Sequence, residues 1–120
     1  MQNKQTITHI EIPAPDLAAA MAFYATVFQW EIIRQGDNYA FFRIGDTNSG
    51  GGLDPSLQPA LEKQGVQVVI DVEDIDTTLA TIVHAGGRID FPKTAIDGGH
   101  GFYAGFCDPN NNHIQLHGRQ

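Results

Sequence analysis

Between Thr6 and Ile12 the chain alternates, with Ile10 and Ile12 on one side and His9 and Glu11 on the other, the two-residue period of a half-buried strand. The Pro13-Ala14-Pro15 stretch ends it. Asp16 then stands at a helix cap, and Leu17, Ala20, Met21, Tyr24, Val27 and Phe28 follow at spacings of three and four, which predicts a helix with one apolar stripe. Trp30 to Arg34 and Tyr39 to Ile44 read as strands joined by a Gly36-Asp37-Asn38 turn, and a short strand follows at Gly51 to Leu53. The first half is therefore β-α-β-β-β.

Asp54 to Gly65, with two prolines and mixed polarity, reads as a linker or a short helical connection. Val66 to Val72 is a strand. Asp74 caps a second helix striped by Ile75, Leu79, Ile82 and Val83, and Gly86-Gly87 stops it. Arg88 to Phe91, Phe102 to Cys107 and His113 to His117 supply three more strands. A shift of 58 residues lays Asp16-Leu17 on Asp74-Ile75, Met21 on Leu79, Tyr24 on Ile82 and Ile10, Ile12 on Val68, Ile70, so the chain repeats itself. The same shift lays His9 on Gln67 and puts the counterpart of Gln115 near Gly52 or Leu53. The expected fold is α+β: two paired β-α-β-β-β modules, about 5–53 and 66–118 around a linker of about 54–65, form an open, curved mixed sheet. Its strands make a half-barrel cleft with the helices outside.

Composition bounds this picture. With 120 residues, 42% of them hydrophobic, the chain can bury one core and not two. Apolar stretches are broken every few residues and no basic-then-apolar leader opens the chain, so the expectation is a cytoplasmic protein with no membrane partner. A single cysteine, Cys107, forms no internal disulfide, in keeping with a reducing compartment, and reads as a small strand hydrophobe. A net charge of −7, with seven Lys and Arg scattered along the chain, argues against nucleic acid and for solubility.

Candidate chemistry comes from the faces opposite the helices. There His9, Glu11, Gln67, Val69, His113, Gln115 and His117 are expected to line one cleft. An amide in mid-strand, Gln115 between Ile114 and Leu116, needs a reason. A buried polar group without a partner costs about 1–3 kcal/mol, so such a lining implies water, mutual pairing, a metal or a small molecule. Phe41, Phe42, Phe102 and Phe106 divide between core and apolar walls for a flat ligand. Gly50 to Gly52 lacks the Lys-Ser/Thr of a phosphate loop and reads as a strand with a glycine bulge. His84 complements the dipole at a helix end, and His100 sits in the glycine-rich turn Asp97 to Gly101. Spacing alone assembles no nucleophile, base and orienter.

Three stretches, HIEIPAPDLAAAMAFYATVFQWEI, VIDVEDIDTTLATIVHAGGRI and FCDPNNNHIQL, resemble the vicinal oxygen chelate superfamily of glyoxalase I, bleomycin-resistance proteins and extradiol dioxygenases. The resemblance spans nearly the whole chain and is nearest to small glyoxalase-like proteins, through Glu11 to Ala14, Phe23-Tyr24, Gly50 to Leu53 and Pro92 to Thr94. Metal-dependent members hold a divalent ion with one residue from each of four strands. The resemblance implies that those positions are His9, the Gly51 to Leu53 stretch, Gln67 and Gln115 here. No carboxylate stands at the last position, where glyoxalase I uses one to hold the ion and move a proton. One imidazole and two neutral amides leave a divalent charge unbalanced, so no metal is expected there. A shifted set of His9, Glu11 and His117 reads as a wet cleft mouth.

The expected protein thus binds a small organic molecule, with no cofactor. The resemblance also leaves open a metal-dependent lyase or isomerase of the glyoxalase type, a dioxygenase-like enzyme, a metal-free enzyme with His9 or Glu11 as general base, and an antibiotic-sequestering protein. A homodimer is expected from the resemblance and from open sheet edges.

Overall fold

The computed structural model describes residues 5–61 and 64–120. Its elements are β1 (His9–Pro13), α1 (Leu17–Phe28), β2 (Glu31–Arg34), β3 (Ala40–Arg43), β4 (Gly50–Asp54), β5 (Val69–Asp71), α2 (Ile75–His84), β6 (Arg88–Ala95), β7 (Phe102–Cys107) and β8 (His113–Gly118). They make two four-stranded sheets of equivalent order, β1-β4-β3-β2 and β5-β8-β7-β6, each with one parallel pair (β1 with β4, β5 with β8) and two antiparallel pairs. This is the repeated β-α-β-β-β plan, an open α+β fold built as two ladders. No helix among the described residues is long and apolar enough to cross a membrane.

Local chemistry sets both helices. The carboxylates of Asp16 and Asp74 accept from the backbone N–H of Ala19 and Thr77, each at 3.1 Å, which satisfies donors the first turn leaves open. Gln29 ends α1 in the left-handed region and Gly86, at φ 99°, follows α2. Leu17, Ala20, Phe23 and Tyr24 of α1 and Ile75, Leu79 and Ile82 of α2 are buried, but Val83 is turned out to solvent, because the buried stripe of α2 is narrower than the sequence spacing suggests. In the core, Tyr24 stacks on Trp30 and Trp30 on Phe42, with ring centroids 5.2 and 4.6 Å apart. Phe23 and Phe28 meet Phe106 of β7 at 6.0 and 5.9 Å, which carries the core across the two modules.

The strand bounds differ from the sequence reading chiefly in three places, the first being β1, which starts at His9 rather than Thr6. The predicted strand Val66 to Val72 shrinks to Val69–Asp71: Gln67 donates its side-chain amide to the carbonyls of Gln64 and Gly65, at 3.4 and 3.3 Å, and so folds back on the preceding loop. The strand expected at Arg88 to Phe91 continues to Ala95 through two register shifts against β7. Gly50–Gly52 form a regular strand with no bulge, one residue per partner on both sides. A Cβ on Gly51 would strike the Ile10 backbone, so glycine there serves close strand approach. The 54–65 connection opens with a turn closed by Leu57 N–H on the Asp54 carbonyl, and its helical alternative does not occur among the described residues.

The modules are tied by the turn between β7 and β8. Asp108 is buried, and its carboxylate accepts from the Tyr24 hydroxyl (2.7 Å), the backbone N–H of Asn110 and Asn112 (2.8 and 3.0 Å) and the Asn112 amide (2.8 Å). That amide also donates to the Pro13 carbonyl at 2.6 Å, and Asn110 exchanges hydrogen bonds with the backbone of Asp16. Burial, then the neighbouring Asp108 charge, holds the Tyr24 phenol protonated far above its ordinary range, so it remains a donor. Replacing Tyr24 by Phe should lower stability by about 1–2 kcal/mol, whereas Asp108→Ala, which strands several buried donors at once, should cost about 3 kcal/mol or more. Urea unfolding measures both; equal and small losses would contradict a hub at Asp108.

Candidate functional site

On the first sheet, pleating turns His9 and Glu11 of β1 away from the buried Ile12. Glu11 lies opposite Gly52 of β4, and Gly52 lies opposite Phe41 of β3. Tyr39, just before β3, reaches over the glycine: its hydroxyl donates to Glu11 Oε2 at 2.6 Å and stands 3.4 Å from His9 Nε2. His9 Nε2 also pairs with the same Glu11 oxygen. The tyrosine takes the space that any side chain at position 52 would fill. Partial burial, reinforced by the bond to Glu11, pushes the Tyr39 phenol up to about 12, which fixes it as a hydrogen-bond donor. Phe41 packs edge-on against Tyr39 at 4.9 Å and is exposed, so an apolar wall adjoins the imidazole, carboxylate and phenol.

On the second sheet, His113, Gln115 and His117 of β8 alternate with the buried Ile114 and Leu116. Gln115 sits between Val69 of β5 and Gly105 of β7, and the Phe91 ring covers Gly105. His117 bonds Asp71 through Nδ1 (2.7 Å) and the His100 carbonyl through Nε2 (2.8 Å). Both contacts are to acceptors, so only the imidazolium satisfies both. The Asp71 carboxylate first, and the His100 carbonyl second, raise the His117 pKa. His113 Nδ1 faces Asp90 Oδ2 at 3.2 Å and Cys107 Sγ at 3.4 Å.

The family model described as Glyoxalase/Bleomycin resistance protein/Dioxygenase superfamily matches residues 6–116. The chain belongs to that superfamily. Among solved structures, a glyoxalase/bleomycin resistance protein/dioxygenase family enzyme from Burkholderia phytofirmans PsJN superposes with a TM-score of 0.77, at 18% identity over 97% of this chain and 100% of the other. The fosfomycin resistance protein FosX of Listeria monocytogenes, complexed with Mn(II) and sulfate, gives 0.74 at 19% identity over 100% and 93% of the two chains. TnmS3, an antibiotic binding protein from Streptomyces sp. CB03234, gives 0.74 at 18% identity over both whole chains. At these identities the likeness is one of fold. No curated protein matches the chain.

Against the superfamily plan, the usual metal position is a poor fit for this donor set. The strand register makes Gly52 the counterpart of Gln115, since Glu11 lies opposite Gly52 and Val69, its equivalent in the repeat, lies opposite Gln115. The second position therefore has no side chain, and the Tyr39 hydroxyl fills its place. Gln67 spends its amide on loop carbonyls and Gln115 is neutral, which leaves His9, itself bound to Glu11 and Tyr39. One imidazole and two amides do not offset a divalent charge.

Five of the seven residues placed together by the sequence reading are distributed among three hollows. Glu11, Gln67 and His113 line one groove of about 250 Å³. His9 lines a hollow of about 430 Å³ with Phe41, Arg43 and Gly50, and Val69 lies along a groove of about 920 Å³ beside Ile10, Trp30 and Phe42. Gln115 and His117 line none of these three. His9 and Glu11 do meet, although same-face neighbours on a strand stand about 7 Å apart, because both lean toward Tyr39. His117 is held by Asp71 and His100, away from that pair. The sequence reading missed Tyr39, whose signal was its two-residue spacing from Phe41 on the open face. It also missed the Cys107 and His113 pair, six residues apart across an Asp-Pro turn.

His117 yields a direct check. A raised imidazole pKa stabilises the fold below the ordinary value of about 6.5, and the contribution is lost as pH rises through the folded midpoint. NMR titration should find that midpoint above 6.5, with Asp71→Asn lowering it; a midpoint unmoved by the substitution would show that the pair does not form in solution.

Proposed function

We propose that this superfamily member binds a small organic molecule on the open face of its first sheet, with no metal at the family's usual position. The observation that carries the reading is the His9, Glu11 and Tyr39 cluster beside the exposed Phe41 ring: a carboxylate and an imidazole next to an apolar wall, with a phenol fixed as donor. Such a set suits a partly aromatic ligand carrying a hydroxyl, amide or amine, because the wall takes its flat surface and the polar groups fix its orientation. The antibiotic binding protein from Streptomyces, of the same fold, supports binding rather than turnover as the working role, and the net charge of −7 favours a neutral or cationic ligand. The proposal includes a homodimer, which would cover the exposed Ile33, Phe41 and Val69, and a reducing, cytoplasmic setting.

The competing reading is catalysis with His9 or Glu11 as general base. Their direct contact supports it, since a carboxylate that positions an imidazole is a common acid-base pairing.

Screening a library of aromatic amines and amides by calorimetry should give a ligand of one site per chain. Glu11→Gln and Tyr39→Phe should each weaken it about five- to tenfold, in line with about 1 kcal/mol per hydrogen bond. A hit whose affinity ignores both substitutions and His9→Ala would remove the site from this face. Light scattering should give twice the 13.1 kDa chain mass.

A further inference from the structure

The second sheet carries a cluster that the ligand proposal does not use. Cys107 closes β7 and His113 opens β8, and the two stand directly opposite each other, so their side chains share one face. The Asp108 hub locks the turn between them, which fixes the spacing of the pair. β6 runs along the other side of β7, and its register slips between Ile89 and Phe91, leaving Asp90 as the extra residue. Its carboxylate is thereby brought to the same imidazole.

The spacing of the donors approaches that of a coordination sphere, with the Cys107 sulfur also 3.8 Å from His113 Nε2, so that a small turn of the imidazole would aim Nδ1 at a shared ion. One nitrogen, His113 Nδ1, lies 3.4 Å from Cys107 Sγ and 3.2 Å from Asp90 Oδ2, and the three donor atoms all fall within 4.8 Å of one another. A tetrahedral zinc ion, at about 2.3 Å from sulfur and about 2.0–2.1 Å from nitrogen and oxygen, holds its sulfur and nitrogen ligands about 3.5 Å apart and its nitrogen and oxygen ligands about 3.3 Å apart. Thiolate and carboxylate together offset a double positive charge, which the His9, Gln67 and Gln115 positions cannot do. Cys107 is buried, whereas the His113 and Asp90 side chains are 21% and 22% exposed, so the cluster opens to solvent on one side.

We propose that Asp90, Cys107 and His113 form a divalent transition-metal site of the zinc class, with three protein ligands and a fourth position open to water or an exogenous ligand. Sulfur and imidazole donors select zinc or cobalt over magnesium and calcium. Binding displaces the Cys107 thiol proton to solvent and leaves a thiolate on the metal, so affinity rises with pH. The site lies on the opposite sheet from the His9 cluster and does not depend on the organic ligand.

The test is titration of chelator-treated, reduced protein with Co²⁺, followed by Zn²⁺. Expected is one equivalent of cobalt, with the near-ultraviolet charge-transfer band of a thiolate ligand and visible bands of tetrahedral strength, both removed by zinc. Cys107→Ser should abolish the charge-transfer band, Asp90→Asn should weaken affinity at least about tenfold, and His9→Ala should change neither. Should Cys107→Ser misfold, as its circular dichroism would reveal, Asp90→Asn and His113→Gln give the same decision from affinity alone. No binding below millimolar cobalt, a complex without the thiolate band, or a spectrum lost in His9→Ala would overturn the site. Loss of organic-ligand binding with the cobalt spectrum intact would count against the His9 cluster alone.

Discussion

The fold turns on a single buried carboxylate. Asp108 gathers a phenol from α1, two backbone amides of its own turn and a side-chain amide, and the asparagines around it reach the backbone at Pro13 and Asp16. An ionised group out of water is tolerable only when it is fully hydrogen-bonded, and no buried side-chain polar atom among the described residues lacks a partner. The network joins the end of β1 and the start of α1 to the β7–β8 turn, so the same contacts that satisfy the charge also set the two modules against each other.

This arrangement separates structure from chemistry. The Asp-Pro-Asn-Asn-Asn turn uses its polar side chains inward, and the faces opposite the helices are left to carry unlike clusters. On the first sheet Tyr39 draws an imidazole and a carboxylate together over a glycine. On the second, a bulge in β6 and the register of β7 with β8 assemble a thiol, an imidazole and a carboxylate. The two halves repeat one scaffold and carry different side chains on it.

Much of the scaffold was legible because it rests on periodic or local signals. The Asp16 and Asp74 caps, the alternation of Ile114 and Leu116 against His113, Gln115 and His117, and the 58-residue repeat each depend on residues near one another in the chain. The clusters were harder to read because they depend on register. Tyr39 meets Glu11 across two intervening strand pairings, and Asp90 reaches His113 only because β6 slips by a residue. Gln67 shows the opposite effect: the alternation placed it on a strand, but a side-chain amide able to bond its own loop shortened that strand.

The glycine at position 52 also constrains what this lineage can become. Any side chain introduced there meets the Tyr39 hydroxyl, and moving that tyrosine withdraws the donor that holds Glu11 beside His9. A ligand on the central strand is therefore not reachable by one substitution that leaves the existing cluster intact; the two positions must change together, and the intermediate carries the cost of both arrangements. Gly52 and Tyr39 are thus coupled positions, and a change at either is felt at the other.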